Sequence, residues 1–223
     1  MPRLVFSFNR YADMARTKSP NYEAQQQNIL ENAARLFAEQ SFPSASIAQL
    51  AELCGMSKPL LYHYYRDKSH LLFDIADTYV DRLVGIVDEA ARQGLPAEAH
   101  LRLLIERFME EYASSRHYHM VLVQDVKFLG EADRRQVKAK QAGVVAAFAE
   151  LIARLRPELS TEQVKPVTMT LFGMMNWTFT WFRADGAIDR AGMARIVSQL
   201  FLHGVYGCGE GTDHERAFEG APR

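Results

Sequence analysis

The feature that most constrains this chain is the spacing of its apolar residues, which return every three or four positions from Tyr22 to Gly207. Amphipathic α-helices have this period, whereas half-buried strands alternate apolar and polar residues. No stretch of the chain alternates for long enough to indicate a sheet, and no internal repeat is present. The sequence therefore predicts an all-α fold of about nine helices.

Composition places the chain among globular proteins, because 48% of its 223 residues are hydrophobic and its formal net charge is −1. A chain of this length buries enough surface to fold without disulfides or a structural metal. Cys54 and Cys208 are far apart, which disfavours a disulfide framework and a cysteine-based zinc site. No apolar run approaches the roughly 18 residues of a membrane span, and the N-terminus lacks a secretory signal. We expect a cytoplasmic protein without cofactor or metal.

Changes in periodicity divide the chain into four parts. Residues 1–20 read as a flexible arm that contains a second plausible start at Met14, and residues 208–223 read as a flexible tail. Three helices are predicted within 21–67, the second and third of them short, and a larger helical domain over 68–207. Within the latter we expect helices at 68–92, 97–115, 118–129, 132–156, 161–183 and 189–207, with breaks at His117, Gly130, 157–160 and 184–187. The first 72 residues hold eight Lys/Arg against six Asp/Glu, and this mildly basic end hints at a polyanion partner.

A helix-turn-helix pattern lies between Ser46 and Leu72. Ser46 and Gln49 have capping-box spacing, Gly55 can adopt the positive φ that ends a helix, and Ser57 precedes a second helix with Pro59 in its first turn. In such a motif one helix crosses the DNA backbone and the next enters the major groove.

The second helix of this motif has the side chains of a DNA-binding surface. If its apolar partners pack inward on Ala33 and Phe37, three aromatics and a lysine remain exposed, which is unfavourable without a partner. The residues predicted to pack inward are Ile47, Leu50, Ala51, Leu53 and Leu61. The candidate DNA-binding residues are Ser46, Ser57, Lys58, Pro59, Leu60, Tyr62, His63, Tyr64 and Lys68.

Each candidate has a predicted role. Tyr62, Tyr64 and Lys68 suit phosphates, Lys58 suits phosphate or guanine, and Leu60 with Pro59 suits thymine methyl groups. His63 contacts either a base or water. Two neighbouring residues are predicted to be structural: Tyr65 in the core, and Cys54 packed on the helix surface without a redox role.

The segment from Ala24 to His70 resembles the TetR family of bacterial transcriptional regulators. The resemblance is carried by Ala33-Ala34-Arg35-Leu36-Phe37, Ser46-Ile47-Ala48-Gln49-Leu50-Ala51, Gly55-Met56-Ser57-Lys58, Leu61-Tyr62-His63-Tyr64-Tyr65 and Lys68. It implies a three-helix DNA-binding domain and a larger domain that dimerises and binds an effector. It also implies that the protein, like most of the family, is a repressor that a small molecule releases from operator DNA. It also implies that Lys58 to Tyr64 touch DNA and that Lys68 holds a phosphate. Pro59, Leu60 and Tyr65 depart from the family pattern, so the operator sequence cannot be inferred from relatives.

Two C-terminal segments predict a homodimer. Val164 to Phe182 is apolar nearly all round, and Asp189 to Tyr206 carries a second apolar stripe. Two such helices from each subunit would form an isologous four-helix interface, as the resemblance also implies. The recognition helices would then lie one DNA turn apart, about 34–36 Å, and would fit a palindromic operator.

An aromatic and methionine-rich set predicts a cavity for a small hydrophobic effector. Its candidates are Phe108, Tyr112, Met120, Gln124, Phe128, Phe148, Met169, Phe172, Met175, Asn176 and Trp177. The stretch from Asn176 to Gly186 resembles a branch of the family that senses acyl-CoA thioesters. The basic run of Arg134, Arg135, Lys138 and Lys140 is either an anchor for the CoA phosphates or a solvated helix face. The alternative effector is a hydrophobic drug or metabolite, for a regulator of an efflux pump.

Two other classes of function compete with a regulator. His117, His119 and Asp125 could suggest a metal enzyme, but residues two apart do not share a helical face, and no H-E-x-x-H or phosphate-loop motif is present. The second competing class is a non-enzymatic helical adaptor. Selective, salt-dependent DNA binding would distinguish a regulator from an adaptor.

Overall fold

A computed structural model describes residues 20–183 and 185–207, and within them it contains nine α-helices, one short 3-10 helix and no strand. The helices are α1 Pro20–Gln40, α2 Ile47–Leu53, α3 Lys58–Tyr64, α4 Lys68–Ala91, α5 Ala97–Ser114, α6 Arg116–Gln124, α7 Glu131–Leu155, α8 Thr161–Trp181 and α9 Arg190–Gly207. The 3-10 helix, Val126–Phe128, lies between α6 and α7. The all-α prediction is confirmed. The flexible tail at 208–223 and all but the last residue of the flexible arm at 1–20 lie outside the described residues.

Local sequence signals set the ends of the two short helices. Ser46 caps α2 by accepting a hydrogen bond from the Gln49 backbone N–H at 3.2 Å, and the Gln49 side chain accepts one from the Ser46 N–H at 2.9 Å. Gly55 follows with φ of +63° and turns the chain toward α3. Ser57 caps α3 by accepting from the Leu60 N–H at 3.4 Å. Both predicted caps are confirmed.

The long helix α4 connects the N-terminal helices to the rest of the molecule. Its buried face runs from Leu71 to Ala90, and it packs against α1, α5, α6 and α7. Farther along, α5, α7 and α8 meet around three phenylalanine rings. The Phe108 centroid lies 5.0 Å from that of Phe148, and the Phe148 centroid lies 4.9 Å from that of Phe172. One core therefore extends from the helix-turn-helix into the C-terminal body.

The region between α5 and α7 differs from the prediction. The break falls at Ser115, so the predicted break at His117 is wrong and His117 lies in the first turn of α6. Ser115 is held by tertiary contacts, since its hydroxyl donates to Glu111 at 2.7 Å and accepts from Arg82 at 3.2 Å. The predicted helix 118–129 also ends early, because the buried Asp125 stands at the junction of α6 and the 3-10 helix.

Among the described residues, no helix has both the length and the hydropathy that a membrane span requires.

Candidate nucleic-acid interface and ligand cavity

One face of α3 is exposed and carries most of the predicted DNA-binding side chains. Lys58, Pro59 and His63 are exposed, as are Leu60 and Tyr62, whose side chains remain 46% and 51% accessible. Ser46 and Ser57 are exposed at the N-terminal ends of α2 and α3. No ion-pair partner of Lys58 occurs among the described residues. The face therefore presents a cation, two aromatic rings and an apolar patch to solvent.

The opposite face of the motif packs into the core. Leu50, Ala51 and Leu61 are buried as predicted, and Ile47 is half-buried. Leu53 is 46% exposed, so the prediction that it packs inward is wrong: it is the last residue of α2, where the helix turns away from the core.

The aromatic residues at the end of α3 have different surroundings. Tyr65 is buried, which confirms its predicted place in the core. Tyr64 is only half-exposed, because its ring stacks on Tyr22 of α1 at 4.7 Å.

Burial raises the pKa of the Cys54 thiol, with Arg35 opposing the shift, so the reactive thiolate is disfavoured.

Lys68 makes contacts that differ from its predicted role. Its Nζ donates to the backbone carbonyls of Phe42 at 2.8 Å, Pro43 at 3.2 Å and Ala45 at 2.9 Å, and it lies 4.5 Å from the centre of the Phe42 ring. An ammonium group has three N–H donors, and all three are engaged. Lys68 therefore fixes the loop between α1 and α2, and the phosphate contact that the resemblance implies for it stays a prediction.

The same loop is tied to the C-terminal body. The Phe42 backbone N–H donates to the buried Asp125 carboxylate at 3.3 Å, and the Phe42 ring stacks on Phe128 at 5.8 Å. Burial raises the pKa of Asp125, while the Phe42 N–H and Lys127 oppose that shift. Phe42 thus joins the helix-turn-helix to the junction after α6.

A cavity of about 1100 Å³ lies in the C-terminal body, between α4, α5, α6, α7 and α8. Its lining is mostly aliphatic, with aromatic rings and few polar groups, as in sites for small apolar ligands. Four of the predicted effector-binding residues line it, namely Tyr112, Met169, Phe172 and Asn176.

The other seven candidates do not line this cavity. Phe108, Phe148 and Met175 are fully buried beside it, where they form the core that supports the lining. Phe128 packs on Phe42, and Trp177 is 67% exposed. Met120 and Gln124 are also outside the lining, half-buried and exposed respectively. Helical spacing does not specify which side of each helix faces a neighbour, so it could not separate the residues that line this cavity from those beside it.

Sequence reasoning missed several lining residues. His119 is 2% exposed and stacks on the Tyr112 ring at 3.9 Å, and Lys138 and Lys165 are exposed members of the lining. Burial lowers the pKa of His119 to about 4, opposed by the nearby Asn176 backbone, so the imidazole is neutral at physiological pH. Its apolar neighbours on α6 were the one signal that could have indicated burial.

The predicted basic run splits into separate contacts. The Lys140 Nζ atom lies 2.7 Å from Oδ1 of Asp77 and 2.7 Å from Oδ1 of Asp81. Arg135 forms an ion pair with Glu131. Arg134 donates to the Lys127 carbonyl at 3.4 Å, and Lys138 alone of the four lines the cavity. Of the two alternatives, these contacts favour a solvated helix face over one four-residue phosphate anchor, because paired carboxylates neutralise two of the four charges.

The last two helices expose large apolar side chains. Trp177 and Trp181 of α8 are 67% and 56% exposed, and Leu200 of α9 is 63% exposed. Monomeric soluble proteins seldom expose several such groups together.

These features define a helix-turn-helix protein that presents a recognition helix, joined to a helical body with a ligand-sized cavity. Residues 94–205 match the family described as "Tetracyclin repressor-like, C-terminal domain", and residues 29–75 match "Bacterial regulatory proteins, tetR family". The chain belongs to the TetR family, and it is a DNA-binding transcriptional regulator.

Three similar proteins show the range of the likeness. A TetR-family regulator from Bordetella parapertussis 12822 is 34% identical, with a TM-score of 0.79 over 81% of this chain and 95% of its own. The transcriptional activator FasR of Mycolicibacterium smegmatis is 26% identical over 73% of this chain and 74% of its own. AibR, solved with isovaleryl coenzyme A and operator DNA, shares the fold at 23% identity, with a TM-score of 0.69 over 79% and 98% of the two chains. The chain spans about half the length, or less, of the other curated repressors it matches.

Proposed function

We propose that this protein regulates transcription as a homodimer whose α3 helices enter the major groove of a palindromic operator, and that a hydrophobic effector releases it. Residues 21–67 form the DNA-binding domain, and residues 68–207 form the effector-binding and dimerisation domain. The observation that carries the proposal is the exposed face of α3, since the other face of the same short helix is core.

The contacts to DNA follow from the positions of the side chains on α3. Lys58 and the Tyr62 hydroxyl bind phosphate, with Ser46 and Ser57 at the helix starts facing the same backbone. Leu60 and Pro59 contact thymine methyl groups, and His63 lies at the base edges. Tyr64, stacked on α1, contacts phosphate through its hydroxyl at the rim of the interface.

The dimer forms through α8 and α9. Trp177, Trp181 and Leu200 supply exposed apolar surface on these two helices. An isologous interface buries the same surface of both subunits, so two copies of α8 and α9 give a four-helix contact. The two α3 helices are then about 34–36 Å apart, one turn of the duplex.

The effector is an acyl-CoA of fatty-acid or aromatic catabolism. The apolar lining of the cavity suits an acyl group, and the exposed Lys138 and Lys165 suit the CoA phosphates at its rim. The structure of AibR with isovaleryl coenzyme A and operator DNA supports this class of effector in a protein of the same fold. The acyl-CoA acts by favouring the subunit arrangement that does not fit DNA, with a coupling of about 1–3 kcal/mol.

Selection from a random duplex library, followed by fluorescence anisotropy at two salt concentrations, tests the proposal. We expect an inverted repeat, affinity that falls steeply with salt, and release by at least one member of an acyl-CoA panel. Lys58→Ala should weaken binding, while Arg92→Ala, which removes a charge at the distant end of α4, should not. Selection of no sequence would overturn the DNA-binding assignment. Release by hydrophobic drugs alone would replace the acyl-CoA with the efflux-pump alternative.

A further inference from the structure

The buried part of the cavity lining contains polar atoms that no described residue satisfies. Among the described residues, neither ring nitrogen of His119 makes a hydrogen bond of good geometry, although the Asn176 backbone approaches the ring. The Oδ1 atom of Asn176 is also buried without a partner among them. An unsatisfied buried polar group costs about 1–3 kcal/mol, so groups of this kind require an explanation.

Packing alone does not explain a histidine at position 119. Its ring stacks on Tyr112 at an interplanar angle of 25°, and it meets Tyr79 and Phe179 at centroid distances of 6.0 and 5.5 Å. All three contacts require only a flat ring. A phenylalanine would make them without burying two nitrogen atoms, so the nitrogens serve something other than packing.

Charge is distributed unevenly over the lining. Its three charged side chains, Lys138, Glu150 and Lys165, are all exposed. The buried polar groups are uncharged, because the His119 imidazole is neutral. A neutral imidazole offers one N–H donor and one nitrogen acceptor, and the Asn176 amide oxygen offers a second acceptor. This part of the cavity therefore matches an uncharged group that can accept and donate.

We propose that His119 and Asn176 together bind one hydroxyl group on the apolar part of the effector. The hydroxyl oxygen accepts from the imidazole N–H, and the hydroxyl donates to Asn176 Oδ1. The inference rests on the proposed function only in placing the effector in this cavity. It narrows the effector to an acyl group whose hydrocarbon part carries a hydroxyl, because a plain hydrocarbon tail leaves the polar atoms unsatisfied.

Two fluorescent probes of matched shape test this inference on the full chain without DNA. 1-Hydroxypyrene and 1-methylpyrene share a ring system and differ by a hydroxyl in place of a methyl group. Near neutral pH the wild type should bind 1-hydroxypyrene at least about tenfold more tightly, the ratio expected for one recovered buried hydrogen bond. His119→Phe keeps the stacked ring and should reduce that ratio to below about twofold. Its affinity for 1-methylpyrene should be unchanged or higher.

Two further variants complete the test. Asn176→Leu should also reduce the preference for the hydroxyl probe. His117→Phe makes the same change two residues away on α6, outside the lining, and should keep the wild-type ratio. Equal binding of both probes by the wild type, no binding of either, or a full preference in His119→Phe would overturn the inference. Operator binding is measured on the same preparations and tests the proposed function separately. A protein that binds its operator but does not prefer the hydroxyl probe overturns this inference alone.

Discussion

At the scale of single residues, Lys68 shows how a cation can stabilise the fold. Its ammonium group bonds three carbonyls of the loop between α1 and α2. We predict that Lys68→Ala lowers the free energy of unfolding by about 1–3 kcal/mol, because the partly buried carbonyls of Phe42 and Ala45 lose their donor. Urea denaturation measures this. Lys58→Ala is the matched control and should weaken DNA binding with no change in stability. An unchanged urea midpoint for Lys68→Ala would contradict the structural assignment.

His119 predicts a pH dependence of stability. Because its folded-state pKa lies below that of the unfolded state, the unfolded chain binds more protons and stability falls as pH falls. The free energy of unfolding contains the full contribution of the neutral His119 above about pH 6.5. It loses about 3 kcal/mol of this contribution as the pH falls toward 4.

The comparison of wild type with His119→Phe isolates this effect. Burial also lowers the pKa values of His100 and His117, but both residues remain in the variant, so their effects cancel in the difference. Thermal unfolding across this pH range should show a steeper loss of stability for the wild type. Parallel curves for the two proteins would show that His119 is not buried in the neutral form.

At the scale of elements, α3 predicts two kinds of DNA-binding variant. Tyr62→Ala removes a phosphate contact and should weaken binding to all sequences alike. Leu60→Ala removes an apolar contact to a base and should relax preference at one operator position, by about 1–3 kcal/mol. Anisotropy against a set of single-base operator variants measures both. Uniform effects from both substitutions would show that the division into phosphate and base contacts is wrong.

The elements also show what the sequence could and could not specify. The caps of α2 and α3 join residues three positions apart, so the sequence alone predicts Ser46 with Gln49 and the cap at Ser57. At the break between α5 and α6, Ser115 accepts a hydrogen bond from Arg82, which is 33 positions away, and no local pattern contains that contact. The loop contacts of Lys68 could not be predicted for the same reason, because its partners lie 23 to 26 positions earlier.

The ligand cavity was predicted less well than the DNA-binding face. When one face of a short helix is buried, the side chains on its other face must be exposed. Most of the α3 candidates are therefore accessible as expected. The cavity depends on how five helices rotate against one another, and aromatic residues of the lining and of the adjoining core have the same spacing. Phe172 lines the cavity while Phe108 and Phe148 support it, a difference that only tertiary packing decides.

At the scale of the whole molecule, DNA binding should depend on α9, although the proposal assigns the DNA contacts to α3 and the starts of α2 and α3. Leu200→Asp places a charge in the proposed dimer interface and should give a folded monomer with much weaker operator affinity. Sedimentation velocity and anisotropy measure the two effects. Gln199→Asp, which adds a charge at the neighbouring exposed position, is the control and should remain dimeric. A Leu200→Asp dimer with normal affinity would place the interface elsewhere.

The spacing of half-sites tests the central claim most directly, because two α3 helices fixed in one dimer read DNA only in the correct register. The measurement compares affinity for the selected inverted repeat with affinity for the same repeat after insertion of about half a helical turn, roughly 5 base pairs, at its centre. We predict that the insertion reduces specific affinity to that of unrelated DNA. Equal affinity for the two duplexes would contradict the account.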